Sequence, residues 1–196
     1  MSKTRCLEIR EVILGGYMIA IDPTSGAIER ATGNGSVAGW ALFLGGEMQS
    51  SGIIEIPYYD RKEDRYRGLL DILHTEFDDG FDVLAMEDIP TARRRGNFNT
   101  SQTLIQACGV YIAGLSGELV EINSHTWQAV AKRVGGWIKG DESDAQYIGI
   151  AAIAFASGYD QKMSEKRKIE FLGKLVNEHN AWNLPGIINH WRLKDD

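Results

Sequence analysis

Short apolar runs, separated by charged or glycine-rich segments, divide the first two thirds of the chain into candidate strands. The runs are four to six residues long, which is typical of buried strands rather than of helices. The second and third runs flank Gly45-Gly46, so we expect them to form an antiparallel hairpin. The predicted strands are residues 17–22, 39–44, 51–56, 83–86 and 119–122.

Longer segments with apolar residues at helical spacing lie among these runs and after them. In residues 61–77, for example, Leu69, Leu70 and Leu73 recur among many charges, which predicts an amphipathic surface helix. The predicted helices are residues 61–77, 100–115, 126–134, 141–157 and 164–180. Strands first, then strands that alternate with helices, indicate an α/β fold in which helices flank a mixed five-stranded sheet.

The helix predicted at residues 100–115 carries an apolar stripe, with Thr100 or Ser101 as its cap. Residues at helical spacing form the stripe: Leu104, Ile105, Cys108 and Ile112. On this pattern we expect the thiol of Cys108 to be buried. The stripe is also a candidate interface between two copies of the chain, although ordinary core packing gives the same pattern.

Length and composition are those of one ordinary globular domain. The chain has 196 residues, of which 43% are hydrophobic and 24% are charged. No apolar run approaches the roughly 20 residues that span a bilayer, and the N-terminus has no secretory signal pattern. The cysteines, Cys6 and Cys108, make no disulfide framework. These features favour a reducing, cytoplasmic compartment.

The net charge of −6 counts against nucleic acid as a partner, because proteins that bind it are usually basic. Positive charges are nevertheless grouped, at Arg93-Arg94-Arg95, at Lys132 with Lys139, and within residues 162–168. Each group also has a simpler interpretation as a solvated surface. The charge balance therefore argues against a large nonspecific DNA-coating surface and leaves local contacts open.

Acidic residues stand at four places where predicted elements end or begin. Asp22 ends the first strand, Glu87 follows the strand at 83–86, and Asp141 and Asp144 open the most apolar helix. Carboxylates held on rigid elements supply the oxygen ligands that Mg²⁺ prefers. Paired ions of this kind catalyse phosphodiester cleavage, so the pattern predicts a two-metal nuclease site.

Each acidic residue taken alone also has a simpler interpretation. Asp22 and Glu87 precede segments that contain proline and could be turn residues. Asp141 could cap its helix, with Asp144 merely in the first turn. These two residues are three apart and so share a helix face, where the helix dipole or a divalent ion would offset their repulsion.

The order of these motifs is similar to that of a known family. Ile21-Asp22-Pro23, Gly39-Trp40-Ala41-Leu42, Glu87 and Asp141-Glu142-Ser143-Asp144-Ala145 resemble the RuvC-like branch of the ribonuclease H-like superfamily, the Holliday junction resolvases. The resemblance runs from roughly residue 18 to residue 157. It implies a ribonuclease H-like fold with residues 17–158 as the catalytic domain, residues 1–16 as a leader and residues 159–196 as a helical extension of the same domain.

The resemblance also implies an activity and a set of partners. In the family, the four matching carboxylates bind two Mg²⁺ ions, for which Mn²⁺ substitutes, and homodimers nick four-way DNA junctions symmetrically. Lysines of this region hold the scissile phosphate, which makes Lys139 a catalytic candidate and Lys132 a candidate DNA contact. In the loop after Glu87, Arg93, Arg94 and Arg95 would grip phosphates, and Phe98 would stack on a base or simply staple the following helix.

The chain departs from the family pattern in one place near the first aspartate. Gly39 stands seventeen positions after Asp22, so residues 27–38 resemble an insertion, for which no regular structure is expected. The insertion and the long tail suit a viral or phage version, in a bacterial or phage-infected cell. Two other functions remain open: the same site acting on flaps, forks or RNA–DNA hybrids, and a non-catalytic protein that binds branched DNA.

Overall fold

The computed structural model describes residues 3–23, 36–77, 80–88, 98–135 and 137–179, with side chains omitted at residues 3–7 and 98–103. Within these ranges the chain forms one five-stranded sheet in the order β3-β2-β1-β4-β5. The strands are β1 (Tyr17–Asp22), β2 (Ser36–Leu44), β3 (Glu47–Ile56), β4 (Val83–Asp88) and β5 (Glu118–Asn123). Pairing is antiparallel between β1 and β2 and between β2 and β3, and parallel between β1 and β4 and between β4 and β5.

Helices cover both faces of this mixed sheet, so the predicted α/β fold is confirmed. They are α1 (Lys3–Gly15), α2 (Lys62–Glu76), α3 (Phe98–Leu115), α4 (Ser124–Val134), α5 (Asp141–Ala156) and α6 (Glu165–Glu178). Helix α5 packs on β1 and β2, with α1 and α4 beside it, whereas α2 and α3 pack against each other. None of the helices that the structure describes is long and apolar enough to cross a membrane.

The alternation of side chains along β1 explains why the molecule has two apolar cores. Met18 and Ala20 point to the core that contains α5, whereas Ile19 and Ile21 point to the core beneath α2 and α3. All four residues are fully buried. A strand covered on both faces is apolar throughout, which is why the sequence shows a continuous apolar run there.

Four of the five strands are longer than the sequence predicts: β3 begins at Glu47, β5 extends by one residue at each end, and β4 and β2 also gain residues. Strand β4 continues through Glu87 and Asp88, so Glu87 lies within the ladder, opposite Ile122, rather than after its end. Strand β2 begins at Ser36, so the last three residues of the segment predicted to lack structure are paired with β3. Residues 27–35 of that segment lie outside the described residues. In both cases cross-strand pairing extends the strand into a polar segment.

Helix α3 differs from its prediction in its start and in its buried face. It begins at Phe98, so Thr100 and Ser101 lie inside the helix and neither is its cap. The thiol of Cys108 is buried as predicted, but Ile105 and Ile112 are 44% and 42% exposed. Leu104 and Cys108 of the predicted stripe therefore lie on the buried face, and Ile105 and Ile112 do not. Apolar residues occur on more than one side of this helix, so the sequence pattern does not show which side meets the sheet.

The segment before β1 is helical. Helix α1 lies against α5, and its Ile13 is buried in the same core as Met18. The division of the chain into leader, catalytic domain and extension stays a prediction.

Candidate active site

Asp22 and Glu87 lie near each other at the carboxyl ends of β1 and β4, because these two strands run parallel. Ile21 is paired with Met86, and the next residue on each strand is Asp22 or Glu87. Both side chains are partly buried. Parallel strands deliver the residues at their carboxyl ends to the same edge, which places these two carboxylates side by side.

The other two acidic residues arrive on the first turn of α5. Asp141 is the first residue of this helix, and its N-cap is Gly140, which makes no side-chain capping bond. The alternative in which Asp141 caps the helix is therefore wrong. Asp141 and Asp144 lie on the same face of this first turn, and the carboxylate of Asp144 accepts a hydrogen bond from the backbone of Gly140, the N-cap residue.

A glycine on β2 allows the start of α5 to approach β1. Gly39 is paired with Asp22, and a Cβ on Gly39 would lie 1.7 Å from the backbone oxygen of Asp141. No side chain fits in that space. The absence of a side chain at position 39 therefore brings the first turn of the helix against the end of the strand.

The four carboxylates interact electrostatically. Burial raises the pKa of Asp22 to about 8, and the negative charges of Asp144, Glu87 and Asp141 add to the effect. A carboxyl group with that pKa is mainly protonated at neutral pH. Burial, together with the neighbouring negative charges, therefore favours the neutral form of Asp22.

Glu87 is held by residues of α4. Its Oε2 accepts a hydrogen bond of 3.1 Å from Nε1 of Trp127. Burial raises the pKa of Glu87, as does the charge of Asp144, while hydrogen bonds from Trp127 and Ser124 act in the opposite direction. The net direction is upward, so burial outweighs the two hydrogen bonds.

Asp144 is held in a similar way. Its Oδ1 accepts a hydrogen bond of 2.6 Å from Nε1 of Trp137. Burial raises its pKa, with a further contribution from the charge of Asp141, and the hydrogen bonds of Trp137 and Gly140 lower it. Lys139 also lowers it, so the ammonium group predicted to act at this site does lie near Asp144.

The carboxylates of Asp22, Glu87, Asp141 and Asp144 are chemically suited to bind a divalent cation, but their positions in the structure are not those of a formed cation site. Carboxylate oxygens that are partly buried and raise one another's pKa are the ligands expected for Mg²⁺. Over the described part of the chain, however, no three acidic, histidine or cysteine side chains are arranged so that they could hold one ion. The carboxylates interact, yet they do not converge on a single point.

Glu142 is not among the predicted metal ligands, and its side chain contacts other residues. Its Oε1 accepts a hydrogen bond of 2.7 Å from the hydroxyl of Ser51 on β3. The same hydroxyl accepts a bond of 2.8 Å from the amide of Gln146. These contacts tie the first turns of α5 to the sheet.

The predicted DNA contacts are only partly described. Lys132 is exposed on α4 and Lys139 is exposed just before α5. Arg93, Arg94 and Arg95 lie outside the described residues, and Phe98 is the first residue of α3, with its side chain not described. Their roles stay predictions.

The sequence analysis missed the two tryptophans of the site. Both Trp127 and Trp137 suit core packing, and Trp127 is indeed buried. The available signal was weak: Trp137 stands seven residues before Asp144, and indole is a hydrogen-bond donor that seeks an acceptor when buried. Only the fold shows that each acceptor is one of the four carboxylates gathered at this site. We call these four residues, Asp22, Glu87, Asp141 and Asp144, the acidic cluster.

Two solved structures of RuvC from Thermus thermophilus are similar to this chain. RuvC in complex with a Holliday junction substrate is 14% identical, with a TM-score of 0.48, over 72% of this chain and 96% of that chain. A second RuvC structure is 13% identical, with a TM-score of 0.44, over 71% of this chain and 93% of that chain. No protein-family model matches the sequence, and no curated protein matches it significantly. Because both TM-scores are below 0.5, the function proposed below rests on the arrangement of the carboxylates.

Proposed function

We propose that this protein is a metal-dependent, structure-selective DNA endonuclease that resolves four-way (Holliday) or branched junctions by phosphodiester hydrolysis. One observation carries the proposal: β1, β4 and α5 bring four carboxylates together at a partly buried site, where burial and then the charges of the other three carboxylates raise the pKa of Asp22 to about 8. Uncompensated like charges destabilise a fold. Their assembly from three separate elements is explained when a cation completes the site.

The proposed ligands are Asp22, Glu87, Asp141 and Asp144, and the proposed ions are two Mg²⁺, with Mn²⁺ as a substitute. When bound, such ions supply activation of water and stabilisation of the leaving 3′ oxygen. Lys139 has its own role: its exposed ammonium group, close to Asp144, holds an oxygen of the scissile phosphate and offsets its charge. Glu87 and Asp144 are kept in place by their tryptophan partners.

Branched DNA is the proposed substrate because recognition has to come from local groups on an acidic chain. The net charge of −6 disfavours extended binding to duplex DNA, which depends on many phosphate contacts. The proposed phosphate contacts are Arg93, Arg94 and Arg95. Lys132 is a further proposed DNA contact, and Phe98 is the proposed stacking residue. A short basic segment can contact the phosphates of a junction without binding along a duplex.

We also propose that the protein acts as a homodimer, because symmetric nicking of a four-way junction needs two sites related by a twofold axis. The exposed side of α3, with Ile105 and Ile112, is the proposed contact. Sedimentation should detect a dimer that Ile112→Glu dissociates. The control is Ile169→Glu, at an isoleucine of α6 that is 38% exposed; dissociation by both variants, or by neither, contradicts this interface.

Cleavage of a labelled four-way junction tests the function directly. The wild-type protein should introduce paired nicks in Mg²⁺ and none in EDTA, and Asp22→Asn should bind the junction without cutting it. The same assay on flaps, forks, RNA–DNA hybrids and linear duplex defines the substrate. Binding of the junction without cleavage in either Mg²⁺ or Mn²⁺ would contradict the enzyme and favour a binding protein. Faster cleavage of a flap or hybrid would move the proposal to that substrate.

A further inference from the structure

Two indole groups each donate a hydrogen bond to a different member of the acidic cluster. Trp127 donates to Oε2 of Glu87 at 3.1 Å, and Trp137 donates to Oδ1 of Asp144 at 2.6 Å. Glu87 belongs to β4 and Asp144 to α5. The tryptophans therefore reach two carboxylates that the sheet and the helix supply independently.

The two indoles also contact each other. Their ring centroids are 5.9 Å apart, and the planes are inclined at 82°, an edge-to-face arrangement that aromatic pairs favour. Trp127 is buried within α4, so its ring is fixed by the core. Trp137 lies after α4 and takes its position against that fixed ring. A continuous chain of contacts thus runs from Glu87 through both rings to Asp144.

The segment that carries Trp137 is tied to α5 at both ends. At its start, the hydroxyl of Tyr147 donates to the backbone oxygen of Gly135. At its end, the backbone N–H of Asp144 donates to the oxygen of Gly140 at 2.8 Å. Lys139 stands in this same segment, two residues after Trp137. Contacts that fix the position of Trp137 therefore also restrict the positions that the ammonium group of Lys139 can reach.

We propose that Trp127 and Trp137 are positioning residues: a contacting indole pair that fixes Glu87 relative to Asp144 and sets the segment bearing Lys139 beside them. This inference rests on the proposed function, because it assigns the pair to the metal-binding carboxylates. Each indole orients one carboxylate oxygen by a charge-assisted bond. The contact between the two rings then connects the positions of the two carboxylates. Two negatively charged carboxylates repel each other and do not form a direct hydrogen bond.

The size of the effect follows from what such supporting groups do in metal sites. Loss of a hydrogen-bond partner of a ligand lowers metal affinity by about 10-fold to 100-fold. Trp137→Phe keeps an aromatic ring against Trp127 but removes the N–H group. We therefore expect it to weaken Ca²⁺ binding, measured calorimetrically without DNA, by about 10-fold or more. Trp127→Phe should act in the same direction.

Trp40→Phe provides a matched control. Trp40 packs edge-to-face on Phe77, with centroids 5.4 Å apart, and it belongs to the core on the other face of the sheet. Its replacement removes an indole of the same size without touching the acidic cluster. Ca²⁺ affinity of this variant should stay within about 2-fold of the wild type, a difference well below that of a lost ligand partner.

Indole N–H resonances separate positioning from a general loss of structure. In ¹H–¹⁵N spectra assigned by the single Trp→Phe variants, Ca²⁺ should shift the Trp127 and Trp137 peaks and leave the Trp40 peak in place. Without metal, Glu87→Gln should move the Trp127 peak and Asp144→Asn the Trp137 peak, since each loses a charged acceptor. These metal-free shifts can be read even where a tryptophan variant fails to fold.

The outcomes distinguish this inference from the proposed function. If the wild type binds neither Ca²⁺ nor Mn²⁺, the metal-dependent function is wrong, and the metal-free shifts alone then decide whether the indoles hold the carboxylates. If the wild type binds Ca²⁺ and both Trp→Phe variants bind it equally well, the positioning role is overturned while the function stands. Unmoved indole peaks in Glu87→Gln and Asp144→Asn would likewise overturn it.

Discussion

Helix α4 contributes to two groups of residues that each contain a carboxyl group, and the pKa of that carboxyl group is lowered in one group and raised in the other. At one, Arg133 of α4 forms an ion pair of 2.7 Å with Glu165 of α6, and Lys168 adds a second pair of 2.8 Å. Hydrogen bonds from Lys168 and Arg133 lower the pKa of Glu165. The chain itself neutralises this exposed carboxylate; the Arg133 pair connects α4 with α6, whereas the Lys168 pair lies within α6.

At the other group, Trp127 of the same helix meets Glu87 of the acidic cluster. There, burial and neighbouring negative charges raise the pKa of Asp22 to about 8. Among the charged groups of the described residues that shift these carboxyls, Lys139 is the one cation. The two groups differ in how the charge is compensated: Glu165 is paired with two cations of the chain, whereas the partly buried carboxylates of Asp22, Glu87 and Asp144 have Lys139 alone, and this difference supports the cation site proposed above.

The largest expected effect comes from removing one charge in each group. Asp144→Asn changes almost no volume, but it removes a proposed ligand charge, so junction cleavage should fall at least about 1,000-fold, or about 4 kcal/mol in activation free energy. Glu165→Gln removes a charge that the chain already neutralises and should leave the rate within about 2-fold. Single-turnover cleavage in Mg²⁺ measures both. A normal rate in Asp144→Asn contradicts the site assignment.

The next largest effect concerns the contact that assembles the acidic cluster. Gly39→Ala would place a methyl group against the backbone of Asp141, so α5 has to move and the free energy of unfolding should fall by about 1–3 kcal/mol. The control is Gly15→Ala, because a Cβ on Gly15 meets no atom within 4 Å. Urea denaturation compares the two variants. Equal stability of both would mean that the approach at Gly39 is not tight.

The pH dependence of stability sharpens the comparison further. The pKa of Asp22 is about 8 in the folded protein and near 3.8 in the unfolded chain. Between these values the folded form keeps a proton that the unfolded form has released, so metal-free stability should fall as the pH rises from about 4 to about 8. Asp22→Asn should flatten this slope, measured by urea denaturation in EDTA.

Glu165→Gln is the control for that slope. The pKa of Glu165 is lowered from 4.5, so its stabilising contribution is lost only as the pH falls through that lower range, below the window of Asp22. The variant should therefore keep the wild-type slope at neutral pH. An equally flat slope in Glu165→Gln and Asp22→Asn would show that Asp22 is not the responsible group.

The smallest effect is expected at the ion pair itself. Because Glu165 is exposed, water and salt screen its attraction to Arg133 and Lys168. Glu165→Gln should lower the thermal midpoint slightly at low salt, and the difference should vanish near about 1 M salt, where the Debye length is about 3 Å. Arg133→Gln should behave alike. A large, salt-independent loss would assign the pair a buried structural role.

Sequence patterns predicted the sheet well because its central strands are covered on both faces. The apolar run at residues 17–22 coincides with β1, and the run at residues 83–86 predicts β4 except for its last two residues, Glu87 and Asp88. The first turn of α5 was also predicted, since its apolar stretch is long and begins at Asp141. Patterns succeed where burial alone decides the structure.

The features that sequence could not predict depend on contacts between distant elements. Ile105 and Ile112 look like core residues in any window of the sequence, yet they face outward, because the apolar composition of α3 leaves its orientation to tertiary packing. The acceptors of Trp127 and Trp137 lie on other elements. No local pattern could therefore reveal that these rings bind carboxylates.

Helix α5 carries two of the acidic residues on its first turn, and residues 145–154 that follow are buried. The end of this helix that carries two of the proposed ligands is thus continuous with the interior, with no hinge between them along its hydrogen-bonded length. Heating should therefore inactivate the protein at the temperature at which the core melts. Loss of catalysis and loss of near-ultraviolet circular dichroism are expected to follow a single curve.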